Sequence, residues 1–208
     1  MTEMIIKQPF GSDDVRILDR KTTHAGFIRV ERLQLRCQLF EGGWSHPFER
    51  ELVHHRSGAG VLIYDPALDK VLMIEQFRVG CIEDGKTGPW ALELVAGLQE
   101  NDEPAEQLVL REAQEEAGIT LTKLLRIHEY YPSPGSSSEK ILLFCALADL
   151  ENFQAGIHGQ ENENENIRSL VLDRQEADAA LQAGQINNAM SIIALQWLSM
   201  NHQKLRSL

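Results

Sequence analysis

One acidic helix constrains this chain more than any other feature. Residues Pro104 to Ala117 carry helix punctuation: Pro at the first helical position, acidic residues in the first turn, and Gly118 at the stop. Within it Glu112, Glu115 and Glu116 are spaced i, i+3 and i+4, so three carboxylates share one face. Like charges at these spacings cost roughly 0.2–0.5 kcal/mol per pair when exposed, and more as the face loses water. A solvated acidic face is the plain explanation, and such a face normally carries Lys or Arg four residues after each Glu. Here those positions are Glu116, Ile119 and Thr120, and between Lys86 and Lys123 eight carboxylates are set against one cation, Arg111. Something must neutralise this segment. An all-oxygen donor set without His or Cys selects Mg²⁺, Mn²⁺ or Ca²⁺ over zinc, and Mg²⁺ so held keeps positions for phosphate oxygens.

The rest of the chain narrows the class. Asp plus Glu outnumber Lys plus Arg by 31 to 20, a formal charge of −11 that argues against nucleic-acid or anionic-membrane partners and for a small ligand. Cys37, Cys81 and Cys145 are scattered and odd in number, which suggests neither a disulfide framework nor a zinc site and fits a reducing cytoplasm. The apolar run Ile141 to Ala148 is strand-sized, far below a membrane span, and the first residues are too acidic for a signal peptide.

From Val15 to about Val53 the pattern predicts short strands with turns at Gly26 and Gly42-Gly43. Val61 to Tyr64 and Val71 to Ile74 read as strands joined at Asp65-Pro66, followed by Leu92 to Ala96 leading into Gly97. Strands near Leu124 to Tyr130 and Ile141 to Ala148 flank a loop, residues 132 to 138, whose backbone N–H groups and hydroxyls read as available. A short strand near Leu170 to Leu172 precedes a helix capped by Asp173 and Glu176 and ending near Gly184. Asn188 caps a last helix with Ile192, Leu195 and Leu198 on one face.

Gly97, Glu103, Arg111, Glu112, Ala113, Glu115, Glu116, Gly118 and Ile119 fit the pattern G-x5-E-x7-R-E-U-x-E-E-x-G-U at every defined position of a 23-residue window. On these residues the chain resembles the Nudix hydrolase family. The resemblance implies an α/β fold, an α/β/α sandwich with a mixed sheet, with a small antiparallel β domain at residues 1–56 and the hydrolase domain at 57–208. It implies that Glu112, Glu115, Glu116 and the carbonyl of Ala96 bind divalent cations, and that Arg111 steadies the glutamates.

Beyond the box the chain is similar to the ADP-ribose pyrophosphatase subfamily. The similarity is carried by Ser133-Pro134-Gly135 with Glu139, by Gly-Ile-His-Gly at 156 to 159, by Ile167-Arg168, and by the apolar helix at 193 to 198. That similarity implies a Mg²⁺ enzyme, with Mn²⁺ as a substitute, that splits ADP-ribose into AMP and ribose 5-phosphate. It implies a cytoplasmic homodimer whose N-terminal domains are exchanged. By position, Phe27 and Ile28 lie by the adenine, Arg50, Glu51, Arg56 and Arg78 contact ligand groups, and Leu98 with Ser133 to Glu139 lines the ribose end. Around Arg56 the chain carries one extra residue relative to the pattern.

Taken alone, any one of these arginines reads equally well as a surface ion pair. Arg78, directly after a strand end, suits bidentate oxyanion contact. His158 reads as a loop histidine or, with no nucleophile motif beside it, less readily as a base. Glu161, Glu163 and Glu165 alternate with asparagines, as a polar loop would, and the resemblance makes Glu163 the general base and Glu165 a further metal ligand. Two other readings stand: a hydrolase of another sugar nucleotide such as GDP-mannose, and a non-catalytic domain that senses ADP-ribose.

Overall fold

A computed structural model describes residues 6–100, 102–160 and 164–207. The chain divides into two compact units, Met1–His55 with Ser133–Glu139, and Arg56–Pro132 with Lys140–Leu208.

The first unit is a three-stranded antiparallel sheet in the order β1-β2-β3, formed by β1 (Val15–Ala25), β2 (Arg29–Cys37) and β3 (Phe48–His54). Its strands run to eleven, nine and seven residues, longer than the short strands the turn signals suggest. Gly26, Gly42 and Gly43 punctuate them, but register shifts within β1 let that strand continue past the points where its pattern breaks. The loop at 133 to 139 belongs to this unit. The Val53 N–H donates to Ser136 O at 2.7 Å and the Ser138 N–H to Val53 O at 3.0 Å, while Ser136 and Ser137 N–H groups both turn back to Ser133 O. The loop's amides are therefore largely engaged, contrary to the expectation that they stand available. A strand eighty residues away supplies the partner.

The second unit is built on an eight-stranded mixed sheet. Its strands are β4 (Gly58–Asp65), β5 (Lys70–Phe77), β6 (Trp90–Glu93), β7 (Val95–Leu98), β8 (Leu124–Tyr130), β9 (Ile141–Leu147), β10 (Ile157–His158) and β11 (Ile167–Asp173). The main path runs β10-β11-β5-β4-β9-β8, with β6 on β5 and β7 on β4; β4 and β9 are parallel and the other pairs antiparallel. Helix α1 (Ala105–Ala117) covers one face, and α2 (Arg174–Gln182) with α3 (Ala189–Leu205) covers the other.

The side-chain alternation of β4 and β5 assigns their residues to these layers. Val61, Ile63, Leu72 and Ile74 meet Leu108, Val109, Ala113 and Ala117 of α1. Leu62, Tyr64, Val71 and Met73 meet Ala177, Ala194, Leu195 and Leu198. Both faces are covered, so every residue of β4 is buried and its sequence carries no charged side chain from Gly58 to Tyr64, where a half-exposed strand would alternate. Burying each such large side chain contributes about 1.5–3 kcal/mol. The fold is thus the mixed α/β sandwich, with a small antiparallel sheet N-terminal to it.

Two boundaries differ from the sequence reading. The run Leu92 to Ala96 is two strands broken at Leu94, because β6 pairs with β5 while β7 crosses to β4. Pro104 is the N-cap of α1, one residue outside the helix, with its carbonyl accepting from Gln107 and Leu108. The capping box at Asp173 and Glu176 and the Asn188 side chain, which accepts from Ser191 N at 3.0 Å, start α2 and α3. Among the described residues no helix is long and apolar enough to cross a membrane.

Candidate active site

Packing sets the rotation of α1. With Leu108, Val109, Ala113 and Ala117 sunk into the sheet, Glu112 is left partly buried at the rim, while Glu116, at 2% exposure, is drawn under it. The helix ends at Gly118 in the left-handed region (φ 65°), where Gly118 N–H bonds Gln114 O and Ile119 N–H bonds Ala113 O. A side chain there would be strained, and its Cβ would meet the His158 ring at 3.0 Å. His158 is held by Ser169 Oγ at 3.1 Å, and the next amide, Gly159 N–H, donates to Glu115 O at 3.2 Å. The β10 edge thereby braces the end of α1 that carries the glutamates.

Arg111 organises the helix face. Its Nε and Nη2 reach the two carboxylate oxygens of Glu103 at 3.3 and 3.2 Å, and its Nη1 meets Glu115 at 2.8 Å and Glu112 at 3.0 Å. These bonds raise the guanidinium's already high pKa, with Glu103 the largest contributor. Across the helix, Glu116 accepts from Ala96 N–H at 3.0 Å and from the Gln76 amide at 3.4 Å. Gly97 fits closely against Glu112: a Cβ at that position would overlap its carboxylate, which gives the first glycine of the box a steric reason.

Burial is the main force on both inner glutamates. It pushes Glu112 up to about 7 against the pull of Arg111, and Glu116 up to about 8 against the Ala96 N–H. Glu112 also feels the charges of Glu115 and Glu165, and Glu116 those of Glu112 and Glu165. Glu165 lies beside them with its Oε2 accepting from Gln160 N–H at 3.2 Å. Among the described residues no three acidic, His or Cys side chains are gathered tightly enough to enclose an ion as they stand. The donor chemistry nonetheless fits a hard divalent cation. Carboxyls disfavoured as anions by burial and by one another are the groups that a dication restores to the charged form.

The residues expected to meet substrate are divided between the two units. Phe27, Ile28, Arg50, Glu51, Ser133, Pro134, Gly135 and Glu139 lie in the first. There the Phe27 and His55 rings stand edge to face at 6.4 Å, and His55 Nδ1 is 3.6 Å from Glu139, which gathers the 26–28 turn and the 133–139 loop. Arg50 lies over the Phe48 ring at 4.7 Å. In the second unit are Ala96, Leu98, Arg111, Glu112, Glu115, Glu116 and Glu165, with Arg78, bonded to Glu93 at 2.7 Å, and Arg56, 3.9 Å from Glu100. Glu161 and Glu163 lie outside the described residues.

Two polar residues escape the sequence reading. Gln76 and Glu93 are 6% and 7% exposed and sit among apolar strand residues. A polar side chain interrupting each apolar run was the available signal. Which glutamate or arginine each meets depends on strand pairing.

A carboxylate-bearing helix entered through a glycine loop, on one face of a mixed sheet with helices on both sides, is the arrangement of a Nudix domain. Residues 54–191 match the NUDIX domain family, and the chain belongs to that family. It is 39% identical over 198 residues to the ADP-ribose pyrophosphatase of Escherichia coli (strain K12), across 95% of this chain and 94% of that one. The ADP-ribose pyrophosphatase of Haemophilus influenzae is 38% identical over 202 residues, across 96% and 92%. The GDP-mannose pyrophosphatase of Escherichia coli O1:K1 / APEC is 32% identical over 154 residues, across 74% and 79%. In fold, the chain is similar to a solved ADP compounds hydrolase, with a TM-score of 0.64 at 21% identity over 90% of this chain and 96% of that one.

Proposed function

We propose that this chain is the hydrolase that splits the pyrophosphate of ADP-ribose into AMP and ribose 5-phosphate. The observation that carries the reading is the pair of inner glutamates, Glu112 and Glu116, held against Gly97 and Ala96 N–H with burial opposing their charge. The choice of substrate is supported by similarity to ADP-ribose pyrophosphatases along 95% of the chain, N-terminal unit included, against 74% for a GDP-mannose pyrophosphatase.

In this reading Glu112, Glu115, Glu116, Glu165 and the Ala96 carbonyl hold divalent cations, Mg²⁺ with Mn²⁺ as a substitute. When bound, these supply charge neutralisation of the diphosphate and a more acidic water. Arg111 keeps Glu103, Glu112 and Glu115 from dispersing. Arg78 takes phosphoryl oxygens through its guanidinium. Phe27 and Ile28 receive the adenine, Arg50, Glu51 and Arg56 the polar groups of the ligand, and Leu98 with Ser133, Pro134, Gly135 and Glu139 the terminal ribose. Glu163 accepts the proton of the attacking water, so that one P–O bond forms as the bridging P–O bond breaks.

The enzyme works as a cytoplasmic homodimer through its N-terminal unit, with residues 1–56 as the dimerisation domain and 57–208 as the hydrolase domain. Every residue of β1 is exposed, including Val15, Ile17 and Leu18 at 46–49%, apolar side chains at its start that a second copy would cover.

The deciding experiment offers the purified chain ADP-ribose, GDP-mannose, NADH and diadenosine polyphosphates, each with Mg²⁺ and with EDTA. ADP-ribose is expected to be turned over fastest, with activity abolished by EDTA and restored by Mg²⁺. Undiminished turnover in EDTA, or preference for GDP-mannose, overturns the reading. Tight ADP-ribose binding without turnover would instead identify a sensor. Light scattering is expected to give twice the 23.5 kDa chain mass, and a monomer at micromolar concentration contradicts the dimer.

A further inference from the structure

Glu93 is a buried carboxylate with no part in the function described so far. It is 7% exposed, in the middle of the apolar run Ala91 to Val95, where an ionised group is costly unless it is paired. Its partner is Arg78, whose Nε donates to Glu93 Oε2 at 2.7 Å.

The strand register explains the pairing. Glu93 lies opposite Ile74 in the antiparallel β5–β6 ladder, so Ile74, Gln76 and, two residues on, Arg78 share one side with it. Arg78 keeps that alternation because its backbone is still extended (φ −128°, ψ 114°) and its N–H continues the ladder to Pro89 O at 2.7 Å. On the same side Gln76 reaches Glu116. Arg78 therefore stands beside the acidic face of α1, yet its hydrogen bond is to Glu93 on the neighbouring strand.

We infer that Glu93 is a positioning residue: it clamps Arg78 by the Nε edge, keeps the guanidinium from collapsing onto the α1 glutamates, and presents the Nη edge to the substrate diphosphate. A long, flexible, 42% exposed side chain beside several carboxylates would otherwise spread over many ion-paired rotamers. Nε is engaged on one edge, and the two Nη nitrogens form the fork that suits two oxygens of one phosphoryl group. The inference rests on the reading that Arg78 meets the diphosphate of ADP-ribose.

A double-mutant cycle tests it on the full-length enzyme with ADP-ribose and saturating Mg²⁺. Glu93→Gln is expected to raise KM about tenfold while kcat falls by less than about threefold, as for one charged hydrogen bond lost from ground-state binding. Arg78→Ala is expected to raise KM at least as much, and the double variant to be no worse than Arg78→Ala alone. Additive effects, or a Glu93→Gln KM within about twofold of wild type, would make Glu93 merely structural and overturn the inference. If Glu93→Gln does not fold, Glu93→Asp carries the test, because it keeps the charge but is one methylene too short to hold Nε at 2.7 Å, and is expected to show the same rise in KM.

A readout independent of turnover is the Arg78 Nε–H resonance, expected to be protected from solvent exchange in wild type and unprotected in Glu93→Gln. Fast exchange in wild type overturns the clamp. Absence of ADP-ribose turnover by the wild-type chain sinks the substrate reading and leaves the clamp to be decided by that resonance.

Discussion

Among the described residues, each unit has a glutamate exposed by 3% or less, and the two are treated in opposite ways. Glu31 in the first unit is 3% exposed and is met by basic side chains from all three strands: Arg20 at 2.8 Å, Arg29 at 3.5 Å and His54 at 2.7 Å. Glu116 in the second unit is 2% exposed and is met by neutral donors, the Ala96 N–H and the Gln76 amide. Burial raises both, but at Glu31 the His54 hydrogen bond and the charges of Arg20, Arg29 and His54 outweigh it and the net shift is downward. At Glu116 burial prevails and the shift is upward. A buried carboxylate already surrounded by cations is finished as a structural element. One supplied with neutral donors keeps its charge available for a cation from outside.

If the contrast holds, neither carboxylate is the base of the proposed reaction, since one is committed to arginines and the other to metal. The largest expected effect then belongs to a third. Glu163→Gln is expected to lower kcat by roughly 10²–10⁴ with fold and metal affinity nearly intact. Near-wild-type kcat would remove Glu163 from the mechanism and turn attention to Glu115, Glu139 and Glu161.

The next effect is smaller and has two signs. Glu116→Gln removes a charge that burial opposes, so in EDTA the variant is expected to unfold at a temperature about 2–4 °C higher, the shift that about 1 kcal/mol produces in a chain of this length. In Mg²⁺ the order is expected to reverse, because the wild type gains from binding and the variant does not. Thermal unfolding with and without Mg²⁺ checks both, and equal Mg²⁺ stabilisation of the two proteins would show that Glu116 is no ligand.

How far such contrasts are legible in sequence depends on how far apart the partners lie. The face shared by Glu112, Glu115 and Glu116 and the caps at Asp173 and Asn188 are matters of helical spacing, so a linear reading finds them, whereas the role of Arg111 comes from the resemblance and its bonds to Glu103 reach outside the helix. The same reading finds β4 and β5, whose apolar runs need no partner to be recognised. It does not find the break at Leu94, because only pairing with two different strands splits that run. The hydrogen bonds from Gln76 to Glu116 and from Arg78 to Glu93 cross 40 and 15 positions and exist only once the sheet is registered. The bonds between the 133–139 loop and Val53 are of the same kind, and there the linear reading mistook engaged amides for available ones.

The smallest effect expected is at Glu31, and its sign follows from the direction of its shift. A carboxyl lowered below its ordinary value of 4.5 adds stability that is complete above that value and is lost as pH falls through the lowered one. The loss is therefore confined to pH below about 4.5. Because Arg20, Glu31 and His54 sit on β1, β2 and β3, protonating Glu31 loosens the joint between all three strands of the first unit. It leaves the core around α1 untouched. Hydrogen-exchange protection of the β1 and β2 amides, corrected for intrinsic rates, is expected to fall in wild type as pH drops below about 4.5. In Glu31→Gln it is expected to be lower at neutral pH and flat over the same interval, since no proton is left to bind. Other carboxylates of the unit titrate alike in both proteins and cancel in the difference. A parallel fall in the two proteins would mean that Glu31 does not tie the strands, and that its burial among cations has another cause.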